Sequence, residues 1–229
     1  MTNVTLQNFA YPNSKSKRQI ERLLNGTTPF PDGTKRGILL HGPWGTSKST
    51  MADLIVDVWR FPYLERMAAK GEKTMPPHKL DCRINRTLED ILSLETAISV
   101  WPLAPLDTHH IVIEEVDGLD ARAAAAALSC IMDKKHAVFI LTTNDLSAVD
   151  KKTVGRCHVI DFHPENADVY IEFLKQDLTA FGVPNVEAIP LPYLRQFCNS
   201  NGNNIRDIKG AVSTIADDIE DLRAAGKFQ

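Results

Sequence analysis

The sequence predicts an α/β fold with a five-stranded, mostly parallel sheet, followed by a small C-terminal lid of three helices. Two patterns support this fold class. Short apolar, β-branched runs alternate with segments of helical periodicity up to Phe162, which is typical of parallel sheets covered on both faces. After Pro164 only helical periodicity remains. We therefore place a boundary near His163 and predict an α/β domain at 1–162 and a helical lid at 163–229.

Strands and helices are expected in alternation through the α/β domain. The predicted strands are the apolar runs Gly37–His41, Lys79–Ile84, His110–Glu114, Ala137–Thr142 and His158–Phe162. The predicted helices between them are Ser49–Trp59, Thr87–Val100 and Asp120–Met132. In such sheets ligands bind beyond the carboxyl ends of the strands. The motifs described below fall at those ends or in the lid.

The lid is expected to begin with helices at about Asn166–Phe181 and Leu191–Asn199. A third helix has the clearest pattern, because one apolar stripe recurs at steps of three and four residues. The stripe consists of Ile205, Ile208, Val212, Ile215, Ile219 and Leu222. Asn203 or Asn204 is a suitable N-cap for this helix, and Gly226 lies near its predicted end.

The composition is that of an ordinary water-soluble globular protein, with 43% apolar and 24% charged residues. A formal net charge of −3 gives no global basic field, so any nucleic-acid contact would need a local patch. The cysteines are widely separated, which argues against a zinc site or a disulfide framework. No signal segment and no membrane-length apolar run is evident, so we expect no membrane partner. The expected location is the cytoplasm, or the host cytoplasm for a viral protein.

A glycine-rich loop follows the first predicted strand and leads into a helix. The segment reads Gly42, Pro43, Trp44, Gly45, Thr46, Ser47, Lys48, Ser49 and Thr50. This order predicts a phosphate-binding P-loop, whose backbone N–H groups hold an anion at the positive end of a helix. Lys48 would reach the β- and γ-phosphates, and the Ser49 hydroxyl would hold Mg²⁺. The alternative is a Gly/Pro turn with a chance lysine.

One position of this loop departs from the usual pattern. Ser47 stands where the last glycine is expected. Glycine adopts a positive φ at little cost, whereas a residue with a Cβ generally does not. We therefore expect Ser47 either to strain the loop or to change how tightly it wraps the phosphates.

Two adjacent acids end the third predicted strand. Glu114 and Glu115 follow the apolar run 111–113, which is the Walker-B arrangement. The first acid would hold Mg²⁺, and the second would polarise the attacking water as general base. Glu114 is longer by one methylene than the usual aspartate. An acidic strand end that faces solvent is the alternative.

Three further polar residues are candidates for the site. Asn144 follows an apolar strand, where its amide could orient water beside a γ-phosphate, although Asn-Asp also commonly starts a turn. Arg156 precedes the last strand, and it is either a solvated loop residue or an arginine finger that reaches a neighbouring subunit's nucleotide. Arg206 lies in the first turn of the last helix, where the helix dipole disfavours a cation. It is either an exposed arginine or a contact for an anionic partner.

Taken in order, these residues resemble an AAA+ ATPase, and within that superfamily the clamp-loader small subunits of replication factor C type. The resemblance extends from about Gln19 to Ala225. Its motifs are 42–49, 82–85, 114–117, 127–133, 139–144, 155–157 with Phe162, and 202–206. The resemblance implies a P-loop AAA+ core with a helical lid, with ATP and Mg²⁺ as cofactors.

The resemblance also implies a role for each matching residue. Lys48 and Ser49 match the Walker-A lysine and the Mg²⁺-binding hydroxyl, and Glu114 stands at the Walker-B aspartate. Glu115 matches the catalytic glutamate, and Asn144 matches sensor 1.

The two arginines match positions that act on the nucleotide in this family. Arg206 matches the sensor-2 arginine of the lid. Arg156 matches the arginine finger of the Ser-Arg-Cys motif, with Gly155 in place of the serine. Because that finger acts in trans, the resemblance implies self-association.

The resemblance leaves three functions open. The leading one is an ATP-hydrolysing protein of DNA replication or recombination that assembles on DNA with a sliding clamp or a helicase as partner. The second is a nucleotide-gated switch with slow or no hydrolysis, for which Ser47 and Glu114 are the reasons. The third is a protein remodeller, which would need an exposed aromatic pore loop where only Asn85-Arg86-Thr87 is present. The clamp-loader collar is not found after the lid, so we expect assembly to depend on nucleotide, DNA or another protein.

Overall fold

A computed structural model describes residues 5–7, 9–71, 76–99, 108–119, 122–166 and 168–227 of the chain. These residues form two compact units. The larger holds the described residues of Lys17–Pro43 and Lys48–Asp161, and the smaller those of Met1–Ser16, Trp44–Ser47 and Phe162–Gln229. Val100, Asp120 and Ala121, which belong to two predicted helices, lie outside the described residues. The division at 162 and 163 stays a prediction.

The larger unit is built on a five-stranded parallel sheet. Its strands are β1 (Gly37–His41), β2 (His78–Asp81), β3 (His109–Glu114), β4 (Ala137–Thr143) and β5 (Cys157–Asp161). Their spatial order is β2-β3-β4-β1-β5, and every neighbouring pair is parallel. Every residue of β4 is buried, as expected for a strand with helices over both faces. The predicted fold class is confirmed, and each predicted strand is present within a few residues of its expected bounds.

Among the described residues, five α-helices precede β5. They are α1 (Ser14–Leu24), α2 (Lys48–Lys70), α3 (Leu88–Ala97), α4 (Arg122–Ile131) and α5 (Lys151–Gly155). Helix α2 continues through Pro62 to Lys70, well beyond the predicted end at Trp59. Helices α1 and α5 were not predicted. The Asp150 side chain caps α5 by accepting hydrogen bonds from the N–H groups of Lys152 and Thr153, at 2.9 and 3.2 Å.

The C-terminal part of the smaller unit contains four helices rather than three. They are α6 (Asp168–Phe181), α7 (Leu191–Ser200), α8 (Ile205–Gly210) and α9 (Val212–Ala224). The predicted last helix is divided because Ala211 has φ −100° and ψ 4° and serves as the C-cap of α8. Asn204 is the N-cap of α8, and its side chain accepts from the Arg206 N–H at 2.9 Å. The apolar stripe still packs inward, with Ile208, Ile215 and Ile219 fully buried.

The cysteines are free thiols. Cys82, Cys157 and Cys198 are buried, whereas Cys130 is exposed on α4. Burial raises the pKa of the Cys82 and Cys157 thiols to about 12. Among the described helices none is long and apolar enough to cross a membrane.

Candidate functional site

The loop between β1 and α2 is a tight turn that contains several residues of positive φ. Gly42, Gly45 and Ser47 all have positive φ, at 153°, 74° and 61°. The Gly42 N–H donates to the carbonyl of Thr143 at 3.3 Å, which joins the start of the loop to the end of β4. Ser47 therefore occupies a left-handed conformation that costs a residue with a Cβ roughly 1–2 kcal/mol. The expected strain at this position is present in the backbone.

Lys48 lies at the start of α2 and is 7% exposed. Its Nζ donates to the carbonyl oxygens of Gly42 and Pro43, both at 2.7 Å, and to Oδ1 of Asn144 at 3.0 Å. An ammonium group has three donors, so all of them are used. The lysine expected to bind phosphate and the amide expected to sense it are thus in direct contact.

The protonation of Lys48 is finely balanced. Burial lowers its pKa to about 8, and the nearby carboxylates of Glu115 and Asp117 oppose that shift. The side chain is therefore mainly cationic near pH 7. A buried ammonium group that donates to loop carbonyls is suited to receive the phosphates of a nucleotide instead.

The two predicted acids lie at the carboxyl end of β3. Glu114 is its last residue, and Glu115 follows with φ 52° and ψ 52°, a left-handed conformation. The Glu115 N–H donates to the Thr142 hydroxyl at 3.1 Å, which anchors this strained residue to β4. Strained backbone at an acid beside a buried lysine is typical of a functional position.

An arginine faces the expected general base. Arg83 Nη1 lies 3.6 Å from Oε1 of Glu115. The other side of the guanidinium pairs with Asp81, with Nε 3.0 Å from Oδ1 and Nη2 2.6 Å from Oδ2. Arg83 thereby lowers the pKa of Asp81 through a charge-assisted hydrogen bond. Glu115 is about one-third exposed, so its contact with Arg83 is open to solvent.

Asn144 follows β4 directly. Besides accepting from Lys48, it donates its backbone N–H to Oδ1 of Asp117 at 3.4 Å. The neighbouring Thr143 hydroxyl donates to the same oxygen at 2.8 Å. Three predicted positions, Lys48, Glu115 and Asn144, are thus brought together at one edge of the sheet.

Arg156 is not among the residues gathered at that edge. It is the C-cap of α5, and its Nε and Nη2 each donate to Asp133 at 2.7 Å. Its Nη1 donates to the carbonyl of Lys152 at 3.2 Å. All three guanidinium nitrogens have partners within this chain. The role of Arg156 as a finger that acts in trans stays a prediction.

Arg206 lies in the first turn of α8 and is exposed. In the same unit the Gly45 carbonyl accepts from the Ile205 N–H at 2.9 Å. A β-carbon at Gly45 would overlap the side-chain amide of Asn204. Gly45 therefore packs against the start of α8, one residue before Arg206, and only a glycine fits there.

The oxygen donors expected for Mg²⁺ are of the right chemistry. Ser49 offers a hydroxyl in the first turn of α2, and Glu114 offers a carboxylate at the end of β3. Mg²⁺ prefers hard oxygen ligands and retains several waters, so one hydroxyl and one carboxylate with substrate phosphates would suffice. Glu114 is only partly buried, which leaves room for those waters.

Sequence reasoning missed five residues of this region. Each contacts a predicted position or holds its backbone but received no role: Arg83, Asp117, Asp133, Thr142 and Thr143. The sequence does not indicate that Asp133 binds Arg156, because Asp133 follows α4 and Arg156 follows α5. Thr142 and Thr143 were visible as hydroxyls at a strand end, but Thr142 accepts from Glu115 and Thr143 donates to Asp117, both of which follow the neighbouring strand β3.

A family model and two curated proteins each match about half of this chain. A family model described as "ATPase family associated with various cellular activities (AAA)" matches residues 38–164, more than half of the chain. The replication factor C large subunit of Sulfolobus acidocaldarius is 30% identical over 132 residues, which are 56% of this chain and 26% of that protein. Its counterpart in Sulfurisphaera tokodaii is 30% identical over 114 residues, 48% of this chain and 23% of that protein. The chain thus spans about a quarter of the length of these curated relatives.

Solved structures support the fold. A variant of Thermotoga maritima RuvB superposes with a TM-score of 0.69 at 13% identity, covering 96% of this chain and 66% of that one. A second variant gives 0.68 at 14% identity, covering 96% and 67%. At such identities the likeness concerns the fold alone.

Proposed function

Because this chain belongs to the ATPase family associated with various cellular activities (AAA), we propose that it binds ATP with Mg²⁺ at residues 42–50 and hydrolyses it as an oligomer on DNA. The proposed process is DNA replication or recombination, in a clamp-loader-like role. A sliding clamp or a helicase is the expected protein partner. One observation carries the proposal, the 3.0 Å contact between Nζ of Lys48 and Oδ1 of Asn144. It joins the two groups that would face the same γ-phosphate.

Binding follows from the contacts of Lys48. Its Nζ now donates to two loop carbonyls, and phosphate oxygens would replace them as stronger, charged acceptors. When bound, Mg²⁺ would neutralise charge on the phosphate oxygens. Ser49 and Glu114 are the residues that would hold it.

Hydrolysis would use the residues at the ends of β3 and β4. Glu115 would accept a proton from the attacking water, and the Asn144 amide would orient that water. Arg156 of a neighbouring subunit would stabilise the transition-state charge. Arg206 keeps its proposed role as the sensor-2 arginine.

The role on DNA is proposed from sequence similarity. It is supported by the similarity to two archaeal proteins named replication factor C large subunit, of which the chain matches about a quarter. A net charge of −3 means that DNA contact would depend on a local basic surface. Lys15, Lys17 and Arg18 on α1 are exposed and are the first residues to test.

A second candidate is a nucleotide-gated switch that hydrolyses ATP slowly or not at all. Two contacts favour it. Arg83 lies 3.6 Å from Glu115 and would draw its carboxylate away from the attacking water. All three guanidinium nitrogens of Arg156 donate hydrogen bonds to Asp133 or Lys152. The strained Ser47 is a third reason. In this case ATP would control assembly through binding alone.

Steady-state ATP hydrolysis, measured against protein concentration with and without single-stranded or primed DNA, distinguishes the candidates. A rate per subunit that rises with concentration and with DNA supports the oligomeric ATPase. A negligible rate throughout, with ATP binding intact, supports the switch. Failure to bind ATP at all contradicts both.

A further inference from the structure

We propose that Asp117 is a positioning residue that fixes Asn144 by way of Thr143, and so controls nucleotide turnover without contributing to nucleotide affinity. This inference rests on the proposed ATPase function. Asp117 ended one of the sequence motifs but received no role there. The structure places it between the ends of two neighbouring strands, where it contacts the residue before Asn144 and Asn144 itself.

The contacts centre on one carboxylate oxygen. Asp117 lies in a short 3₁₀ turn, Val116–Gly118, just after β3. Its Oδ1 accepts from the Thr143 hydroxyl at 2.8 Å and from the Asn144 N–H at 3.4 Å. Since β3 and β4 are adjacent parallel strands, this one oxygen joins the turn after β3 to the turn after β4.

The Thr143 hydroxyl has one proton and two acceptors within reach. These are Oδ1 of Asp117 at 2.8 Å and the carbonyl of Asp145 at 3.0 Å. The ionised acceptor forms the stronger bond, so the proton goes to Asp117. The hydroxyl oxygen then accepts from the Asp145 N–H at 3.1 Å. Both neighbours of Asn144 in the chain are thereby held.

Thr143 itself has little freedom to move. It is fully buried, and its β-branched side chain is stiff about χ1. Without Asp117 the hydroxyl proton would turn to the Asp145 carbonyl at 3.0 Å, and neither Thr143 nor the Asn144 N–H would be tied to the turn after β3. The residue expected to move is Asn144, whose Oδ1 accepts a hydrogen bond from Lys48.

The turn that carries Asp117 is held tightly on its other side. The Gly118 N–H donates to the Glu115 carbonyl at 2.8 Å. A β-carbon at Gly118 would come within 2.8 Å of the Cys82 carbonyl oxygen, so the turn packs closely against the chain after β2. The backbone that carries the Asp117 carboxylate is therefore held in place, so the carboxylate can position Asn144.

Removing Asp117 should not weaken phosphate binding. Asp117 is not among the hydrogen-bond acceptors of Lys48, which are Gly42, Pro43 and Asn144. The phosphates would take the place of the two loop carbonyls. Loss of Asp117 also removes repulsion between its carboxylate and the phosphates. We therefore expect loss of Asp117 to lower kcat and to leave ATP affinity unchanged. A general loss of folding would lower both.

The kinetic test compares four variants of the full chain for kcat and for the Kd of a fluorescent ATP analogue. Asp117→Ala and Thr143→Val should each lower kcat at least tenfold and leave Kd within about threefold, and the double variant should be no worse than the poorer single one. Asp117→Asn keeps an acceptor and should fall between Asp117→Ala and the natural protein. The control is Asp145→Ala, because the Asp145 carboxylate caps the next turn through Ser147 and not through Thr143. It should keep kcat within about twofold.

A second readout does not depend on hydrolysis. The backbone amide of Asn144 should exchange with solvent about tenfold faster in Asp117→Ala, or in Asp117→Asn if the alanine variant does not fold, and be unchanged in Asp145→Ala. If the natural protein binds ATP but hydrolyses none, the ATPase proposal fails, and this exchange measurement still decides the positioning role. Unchanged Asn144 exchange, or equal loss of kcat and affinity in Asp117→Ala with none in Thr143→Val, would overturn it.

Discussion

The guanidinium of Arg156 donates two hydrogen bonds of 2.7 Å to the carboxylate of Asp133, from Nε to Oδ1 and from Nη2 to Oδ2. This bidentate pair lowers the pKa of Asp133 and raises that of Arg156. An arginine finger must instead present these nitrogens to a neighbouring phosphate. Asp133 therefore competes with any nucleotide that Arg156 would reach.

The first prediction concerns this competition. Asp133→Ala should raise ATP hydrolysis severalfold at protein concentrations where subunits associate, because Arg156 is released. Arg156→Ala should lower the rate of ATP hydrolysis at least a hundredfold while leaving ATP binding by a single subunit intact. The double variant Asp133→Ala/Arg156→Ala should hydrolyse ATP no faster than Arg156→Ala alone. Asp133 is 62% exposed, so its substitution should change stability by no more than about 1 kcal/mol. Loss of ATP binding in Arg156→Ala would show that the pair is only a structural brace.

The second prediction concerns Arg83 and Glu115. If the 3.6 Å contact holds the carboxylate away from water, Arg83→Ala should raise kcat, and Glu115→Gln should retain ATP binding but stop hydrolysis. Lys79 is a matched control, since it is an exposed cation on the strand before Arg83 and pairs with Asp53 instead. Lys79→Ala should leave kcat unchanged. An unaltered rate in Glu115→Gln would place the general base elsewhere.

The third prediction concerns strain at Ser47. Because its φ of 61° is unfavourable for a residue with a Cβ, Ser47→Gly should stabilise the protein by about 0.5–1 kcal/mol in urea unfolding. Ser93→Gly on the exposed face of α3 should change stability by a similar amount in the opposite direction. If Ser47 and Glu114 also limit turnover, Ser47→Gly combined with Glu114→Asp should raise kcat. An unchanged kcat would remove that explanation for slow hydrolysis.

The fourth prediction concerns the ionisation of Lys48, whose pKa is lowered to about 8. Above this pH the free protein carries a neutral amine, so ATP affinity should fall between pH 7 and pH 9. Bound phosphates favour the ammonium form, and binding at pH 8 should therefore take up protons. Calorimetry in buffers of different ionisation enthalpy measures that uptake. Lys48→Ala should abolish binding, and retained affinity would contradict the P-loop role.

The fifth prediction concerns His110, which lies beside Trp59 with ring centroids 6.2 Å apart. Burial and the neighbouring charge of Arg60 lower its pKa to about 4, from about 6.5 in an unfolded chain. Below pH 6.5 the unfolded chain binds a proton that the folded protein does not. Stability should therefore fall by up to about 3 kcal/mol between pH 6.5 and pH 4. His110→Phe should flatten this part of the pH profile, and an unchanged slope would exclude His110 as its source.

The fold and the centre of the site were accessible from the sequence because they depend on local patterns. Most of the strands are apolar runs typical of a parallel sheet, and Lys48, Glu115 and Asn144 follow strand ends that share one edge of such a sheet. Strain at Ser47 was also predictable, because the P-loop pattern expects a glycine there and glycine adopts a positive φ at little cost.

The remaining features depend on contacts between distant segments. Nothing near Arg156 indicates that Asp133 would bind it, and nothing near Glu115 indicates that Arg83 would approach it. The break at Ala211 preserves the apolar stripe on both sides, so periodicity alone favours one continuous helix. Helix α2 continues through Pro62 to Lys70, whereas local propensity favours an end before the proline.

The exposed thiol on α4 offers a direct probe of subunit association. Cys130 is the one exposed cysteine of the four, and its carbonyl accepts from the Asp133 N–H at 3.1 Å. A maleimide dye would thus attach to the natural chain at a single preferred position, one turn from the Asp133–Arg156 pair. Energy transfer between donor- and acceptor-labelled chains would then report when that surface meets a neighbour, and at what concentration of ATP or DNA, with no substitution in the protein.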